Sequence, residues 1–334
     1  MTDKPPSLWT DVDYERNGKQ IGWLHLHHSV TRSAYGDILI PVACLKNGSG
    51  KTLLLMAGNH GDEYEGQILL SRLVRELDAG AIRGRVIILT AANLPAALAG
   101  TRTSPLDQGN LNRSFPGDPD GGPTSRIAHY IDSVLLPLAD AFIDLHAGGA
   151  SLDYMPFCSM RLSGNPDLDR RSRALLETFA PPLAFVWAYS PAASYSASGA
   201  NRRGIPSLGG EYGGGGGLDR AGMRLAETGV RRVMKHLGIT MDAPAPLAGA
   251  TRFLEVASRD YYAYAPEPGV FEHVVDLGDT VAQDDLAGFV HFPDNPAREP
   301  IACHFRTGGL VVCRRAMGRC DRGDCLFHLA TDIA

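Results

Sequence analysis

The chain has 334 residues, of which 44% are hydrophobic and 21% charged, the balance of a soluble globular protein with room for one large domain and a smaller one. A formal net charge of -5, with no Lys/Arg run longer than two, supplies no basic face and argues against a nucleic-acid partner. The N-terminal MTDKPPSLWTDVDYERNGKQ has no apolar core of a signal peptide, and the clean apolar stretch Leu53–Ala57 is too short to span a bilayer, so the expectation is a cytoplasmic protein with no membrane contact.

Polarity alternates over Lys19–His28 and Asp37–Leu45, which predicts strands. Lys51–Ala57 is an apolar run that ends at Gly58, the pattern of a buried strand entering a tight loop. Helical spacing follows over Glu65–Leu77, with Ile68, Leu69, Leu73, Val74 and Leu77 on one side. Arg85–Thr90 and Ala141–Leu145 read as further buried strands. Arg126–Leu138, Arg170–Phe179 and Asp219–Leu237 read as helices, and Ile205–Leu208 as a short strand running into Gly209–Glu211. Such alternation predicts an α/β domain with a mainly parallel sheet. The pattern changes near Pro244–Ala250. Short strand-like runs follow at Thr251–Ala257, Gly269–Val275, Thr280–Ala287, Gly288–Phe292 and Gly309–Val312, which predicts domains at 1–248 and, all β, 249–334. Gly213–Gly217 suits a mobile loop beside a site and equally suits flexible filler.

The chemistry concentrates at strand ends, where open α/β sheets bind ligands. Ala57–Gly66 (AGNHGDEYEG) places His60 and Glu63 at H-x-x-E spacing directly after a buried strand, and Asp144–Gly149 (DLHAGG) places His146 after another. Two imidazoles and one carboxylate are a ligand set for zinc that leaves a fourth position open. Either motif alone occurs by chance; together, each beside glycines, they favour a metal site. The polar loop Asn93–Gly117 carries Arg102, Asn112 and Arg113, and a guanidinium can grip a carboxylate or stabilise an oxyanion. Glu211 follows IPSL and can serve as general base and then acid.

Other signals carry less. Gly48–Thr52 (GSGKT) ends like a phosphate-binding loop, but Leu45 stands where its first glycine belongs and a strand follows. His25, His27 and His28 fit a surface strand, and Ser151 and Ser207 lie in no G-x-S-x-G elbow. The six cysteines are expected as free thiols; Cys320 and Cys325, with His328 near, lack a fourth metal ligand. Glu272–Asp285 has the turn style of a lipoyl-like domain but no lysine in a suitable turn, so no attached cofactor is expected.

His60-x-x-Glu63, Asn112–Arg113, His146 and Glu211, in this order, resemble the zinc carboxypeptidase superfamily. The wording HGDEYEG and DLHAGG, with a β domain after the catalytic one, is similar to its succinylglutamate desuccinylase/aspartoacylase branch. The resemblance implies a three-layer α/β/α sandwich around a mixed, mainly parallel sheet, with a small C-terminal all-β domain near the active-site mouth. It implies one Zn2+ per chain on His60, Glu63 and His146, with Glu211 as general base and acid. Arg102 would polarise the scissile carbonyl, and Asn112 and Arg113 would hold the free carboxylate of a small N-acyl amino acid whose amide is hydrolysed. DLHAGG and the glycine run depart from aspartoacylases proper. Other readings are a deacylase of a different N-acyl amino acid, a carboxypeptidase, or a metal-binding protein without catalysis; a homo-oligomer is compatible with all of them. A product with a second amine would need an acidic or polar partner, for which Asp62, Glu65, Asp107 and Asp153 lie near the motifs.

Overall fold

The computed structural model describes residues 7–188, 190, 193–247 and 249–333. β1 (Trp9–Thr10), β2 (Gly18–His27) and β3 (Asp37–Asn47) form an antiparallel edge. They are followed by β4 (Thr52–Ala57), α1 (Tyr64–Glu76), β5 (Gly84–Leu89), α2 (Leu94–Ala99) and α3 (Pro123–Tyr130). The helix expected over 126–138 is not one regular α-helix: α3 widens into a π turn at Ile131–Leu135 and tightens into a 3-10 turn at Leu136–Leu138. Pro137 lies in that last turn and has no N–H to continue the ladder. Next come β6 (Ala141–Leu145), β7 (Leu152–Tyr154), β8 (Phe157–Arg161), α4 (Pro166–Phe179), β9 (Leu183–Trp187), α5 (Ser196–Arg202), β10 (Ser207–Glu211) and α6 (Arg220–His236).

β4, β5 and β6 are buried along their whole length, which is why they read as continuous apolar runs. The two-residue period sorts β4 between layers: Leu53, Leu55 and Ala57 join a core with α1, α4 and α6, while Leu54 and Met56 join one with α3. Each leucine so buried contributes about 1.5–3 kcal/mol. The result is the expected three-layer sandwich around a mixed sheet ordered β1-β2-β3-β5-β4-β6-β10-β8-β9, in which β5, β4, β6 and β10 run parallel. Asn165 caps α4, accepting from Asp167 and Leu168 N–H, and Asp219 caps α6 through Ala221 and Gly222 N–H.

The remainder holds β11 (Arg252–Glu255), β12 (Tyr262–Tyr264), β13 (Gly269–His273), β14 (Thr280–Val281), β15 (Leu286–His291), β16 (Ile301–His304), β17 (Gly309–Arg315), β18 (Arg319–Cys320) and β19 (Cys325–Asp332). The strand expected over 280–287 is broken, because Asp284 turns at φ 68° and separates β14 from β15. β11 lies parallel to β9, and β19, β17 and β14 continue the large sheet beyond it. A second sheet, β16-β15-β13-β18, shares a core with β17 and β19 that includes Phe271, Phe305 and Phe327. Ala248, at the expected domain boundary, lies outside the described residues, as do Met1–Pro6 of the N-terminal stretch. No helix among the described residues is long and apolar enough to cross a membrane.

All six cysteines are free. His328 is not with Cys320 and Cys325 in any metal cluster found among the described residues. It is 1% exposed and stacks on Tyr262 at 4.3 Å, with both ring nitrogens unpartnered. Burial pushes its pKa down to about 3. The unfolded chain therefore takes up a proton near the ordinary value of about 6.5 that the folded chain refuses. Stability is complete above that value and falls as pH drops toward 3, by about 1.4 kcal/mol per pH unit. His328→Phe should narrow the stability difference between pH 7.5 and 4.5, read from urea midpoints, by about 2–3 kcal/mol. An unchanged difference would show that His328 does not contribute to acid sensitivity. His25 and His27 flank Asp37 on the surface of β2, at 3.2 and 3.5 Å.

Candidate active site

Four neighbouring parallel strands deliver the site. The Asn93–Gly117 loop leaves β5, the loop with His60 and Glu63 leaves β4, His146 follows β6, and Glu211 ends β10. The strand expected to stop at Leu208 runs on through Gly209 and Gly210, so Glu211 is set by sheet pairing, in a bridge with His146. The turn after β4 needs Gly58, at φ 66°, where a Cβ would stand 2.7 Å from Ala91 Cα. Gly61 N–H donates to Thr101 O at 2.9 Å and locks this loop against the arginine loop.

Glu63 is the hub. His60 Nδ1 stands 2.5 Å from its Oε1, His146 Nδ1 stands 2.9 Å from its Oε2, and Ala147 N–H donates to Oε2 at 3.2 Å. The far nitrogens are held from outside: His60 Nε2 donates to Asn110 Oδ1 at 3.1 Å, and His146 Nε2 lies 2.9 Å from Asp144 Oδ2. Asp144 is fixed in turn by Asn59 Nδ2 at 2.9 Å and Ser196 Oγ at 2.5 Å. Outer acceptors of this kind turn each Nδ1 lone pair inward and raise its basicity, as around metal-bound histidines. The three ligand atoms lie within 4.8 Å of one another. Burial pushes the Glu63 pKa up, but the two imidazoles overcome it and hold the carboxyl well below the usual range. Burial lowers His146, and Asp144 and Glu63 more than reverse this. Glu211 Oε2 and Asp144 Oδ1 are buried without hydrogen-bond partners. A buried nitrogen–oxygen donor set with this excess of negative charge fits a divalent cation.

The pocket in front of the triad has a volume of about 390 Å³ and is lined by Arg102, Asn112, Arg113 and Glu211. The structure therefore brings together every residue singled out by motif. Arg102 Nη1 lies 3.4 Å from His60 Nδ1 and 3.5 Å from Glu63 Oε1. Asn112 Oδ1 accepts from Ser196 N–H at 2.9 Å, and its Nδ2 lies 3.5 Å from His146 Nε2 at the pocket wall. Burial and the Glu63 carboxylate push Glu211 up to about 8, against His146 and Arg102.

The candidate acidic partners do not reach this pocket, for each holds backbone or an arginine elsewhere. Asp62 accepts from Ala150 N–H and Glu65 from Asp219 N–H, both at 2.8 Å. Asp107 accepts from Thr124 N–H at 2.8 Å and Asp153 faces Arg314 at 3.6 Å. Tyr154, Trp187 and Tyr262 form an aromatic wall instead. The glycine run is pinned rather than free: Gly148 N–H donates to Gly213 O at 2.9 Å, Gly215 N–H to Leu152 O at 2.9 Å and Gly216 N–H to Gly149 O at 2.8 Å. Gly213–Gly216 all take positive φ, and a Cβ on Gly214 would meet Leu152 O at 2.0 Å. Sequence reasoning gave no role to Asn59, Asn110, Asp144 or Ser196. Asp144 carried a signal, a carboxylate inside an apolar strand two residues before His146 and so on its face.

Asp144→Asn keeps the size but weakens acceptance from His146 Nε2. It is expected to lower metal affinity about 10- to 100-fold, measured by chelator competition. Affinity equal to the parent's would remove Asp144 from the metal centre.

Comparison with known proteins gives the chain its family. Residues 49–237 match the sequence model of the succinylglutamate desuccinylase/aspartoacylase catalytic domain. The chain is 35% identical over 327 residues to the N-alpha-acetyl-L-2,4-diaminobutyric acid deacetylase of Halomonas elongata, covering 98% of this chain and 96% of that one. The product-bound structure of the ectoine utilization protein EutE (DoeB) from Ruegeria pomeroyi superimposes with a TM-score of 0.94 at 35% identity, over 98% of this chain and all (100%) of that one. A succinylglutamate desuccinylase/aspartoacylase structure from Rhodobacter sphaeroides gives 0.92 at 38% identity, over 98% and 100% of the two chains. The chain belongs to the succinylglutamate desuccinylase/aspartoacylase family.

Proposed function

We propose that the protein is a cytoplasmic, one-zinc amidohydrolase that removes the acetyl group from N-alpha-acetyl-L-2,4-diaminobutyrate, leaving 2,4-diaminobutyrate and acetate. The observation that carries the hydrolase reading is the convergence of both Nδ1 atoms on Glu63 with the unpartnered Glu211 carboxyl beside them. Zinc held there by His60, Glu63 and His146 would acidify the attacking water and polarise the acyl oxygen. Glu211, whose pKa burial and the Glu63 carboxylate raise, is the residue that would accept the proton of the attacking water, and a cation held beside it would favour its ionised form. Arg102, at the pocket edge of the triad, faces the oxygen on which charge develops. Arg113 and Asn112 Nδ2 orient the amino acid, and Glu211 returns the proton to the leaving amine.

The relative from Halomonas elongata supports the diamino acid as leaving group. Among the described residues the carboxylates in the lining are those of Glu211 and Asp144; Tyr154 and Tyr262 offer ring faces that can take an ammonium by cation–π attraction worth about 0.5–2 kcal/mol, whereas Arg161 already stands 5.9 Å from the Trp187 ring. The test is primary-amine release by the zinc-loaded protein from acetylated diaminobutyrate, acetylaspartate, succinylglutamate and a dipeptide. The diaminobutyrate derivative should give the highest kcat/KM. A higher value for another member would retain the hydrolase and replace its substrate.

A further inference from the structure

Of the guanidiniums around the pocket, Arg161 stands outside every motif. It closes β8 opposite Trp187 of β9, and its Nη1 donates to Ala188 O at 2.9 Å. Its guanidinium carbon lies 4.7 Å from the Tyr195 ring centroid, and that of Arg113 lies 4.6 Å from the same ring. Both line the pocket, and neither makes an ion pair with a carboxylate among the described residues. Nearby arginines behave differently: Arg203 and Arg202 share Asp132, at 2.6 and 3.6 Å. Two like charges beside one ring, part buried and without a counter-ion, are unfavourable unless a ligand supplies the anion. Burial first, and the charge of Arg113 in addition, hold Arg161 below the usual arginine range.

We infer that Arg161 is the second half of a two-guanidinium clamp that, with Arg113 and beside the Tyr195 ring, binds the free carboxylate of the substrate. This rests on the proposed N-acyl amino acid hydrolysis. The planar forks of two arginines can take both oxygens of one carboxylate. The clamp also supplements Asn112, whose one side-chain donor, Nδ2, lies 3.5 Å from His146 Nε2. Tyr195 precedes α5 as its N-cap residue, so the bond from Ser196 N–H to Asn112 Oδ1 positions the ring both guanidiniums share.

The experiment pairs two changes in the zinc-loaded enzyme. Arg161→Ala and Arg161→Lys are assayed on whichever panel member the parent hydrolyses fastest and on its carboxamide, which lacks the negative charge. Arg161→Ala should raise KM about 10- to 100-fold for the carboxylate substrate with kcat within about threefold. It should change carboxamide turnover by less than about threefold, and Arg161→Lys should recover only part of the loss. Equal losses on both substrates, or an unchanged KM on the carboxylate, would overturn the clamp. Should the variants fold poorly, calorimetry of the parent with the free amino acid product and its carboxamide decides: the carboxylate should bind at least about tenfold tighter, and equal affinity refutes the proposal. Turnover of a substrate other than acetylated diaminobutyrate would change the substrate and leave the clamp standing.

Discussion

Glu211→Gln should lower kcat by about 10²- to 10⁴-fold while zinc stays bound at the parent stoichiometry. Its oxygen is buried without a partner, and the His60, Glu63 and His146 cluster is complete without it. Glutamine keeps the shape at the end of β10 and removes the proton acceptor, so the effect should fall on kcat rather than KM. Metal content by elemental analysis, read with steady-state kinetics, checks both halves. Retained turnover would remove Glu211 from proton transfer, and lost zinc would make it a ligand.

Glu63→Ala carries the other large effect. One carboxylate answers both Nδ1 atoms and the Ala147 N–H, so its removal leaves two imidazoles facing each other in a buried space without the carboxylate between them. Metal affinity should fall by more than about 100-fold, beyond what an outer residue such as Asp144 costs. Thermal stability should also fall, since the buried Ala147 N–H is left unmade at about 1–3 kcal/mol. Chelator competition and a melting curve are the measurements. Parent-like zinc affinity would show that Glu63 is not a ligand.

The scaffold was legible wherever burial wrote itself into composition. KTLLLMA, RVIILT and AFIDL are apolar on both faces because helices cover both faces, and each ends where its loop begins the site. The ligands were legible because each follows such a run. Residues that act from other loops were not, for no fixed spacing links Asn110 to His60 or Ser196 to Asp144. Arg161 sits on β8, a strand with no alternation to announce it, and the short β7 is held by pairing to distant β17. Asp62, Glu65, Asp107 and Asp153 lie close to the motifs in sequence, yet backbone N–H groups or Arg314 consume them. The five glycines look flexible in composition, but the positive φ values of Gly213–Gly216 are the condition for hydrogen bonding to the loop after His146.

The central claim is that one metal ion on His60, Glu63 and His146 makes this chain an amide hydrolase. The direct test is to strip the metal, add zinc back in steps, and follow amine release from N-alpha-acetyl-L-2,4-diaminobutyrate. Activity should be absent without metal, rise linearly, and break at about one zinc per chain, the single site this ligand set builds. Full activity in the stripped protein, or zinc bound at that stoichiometry with no amine released, would contradict the account.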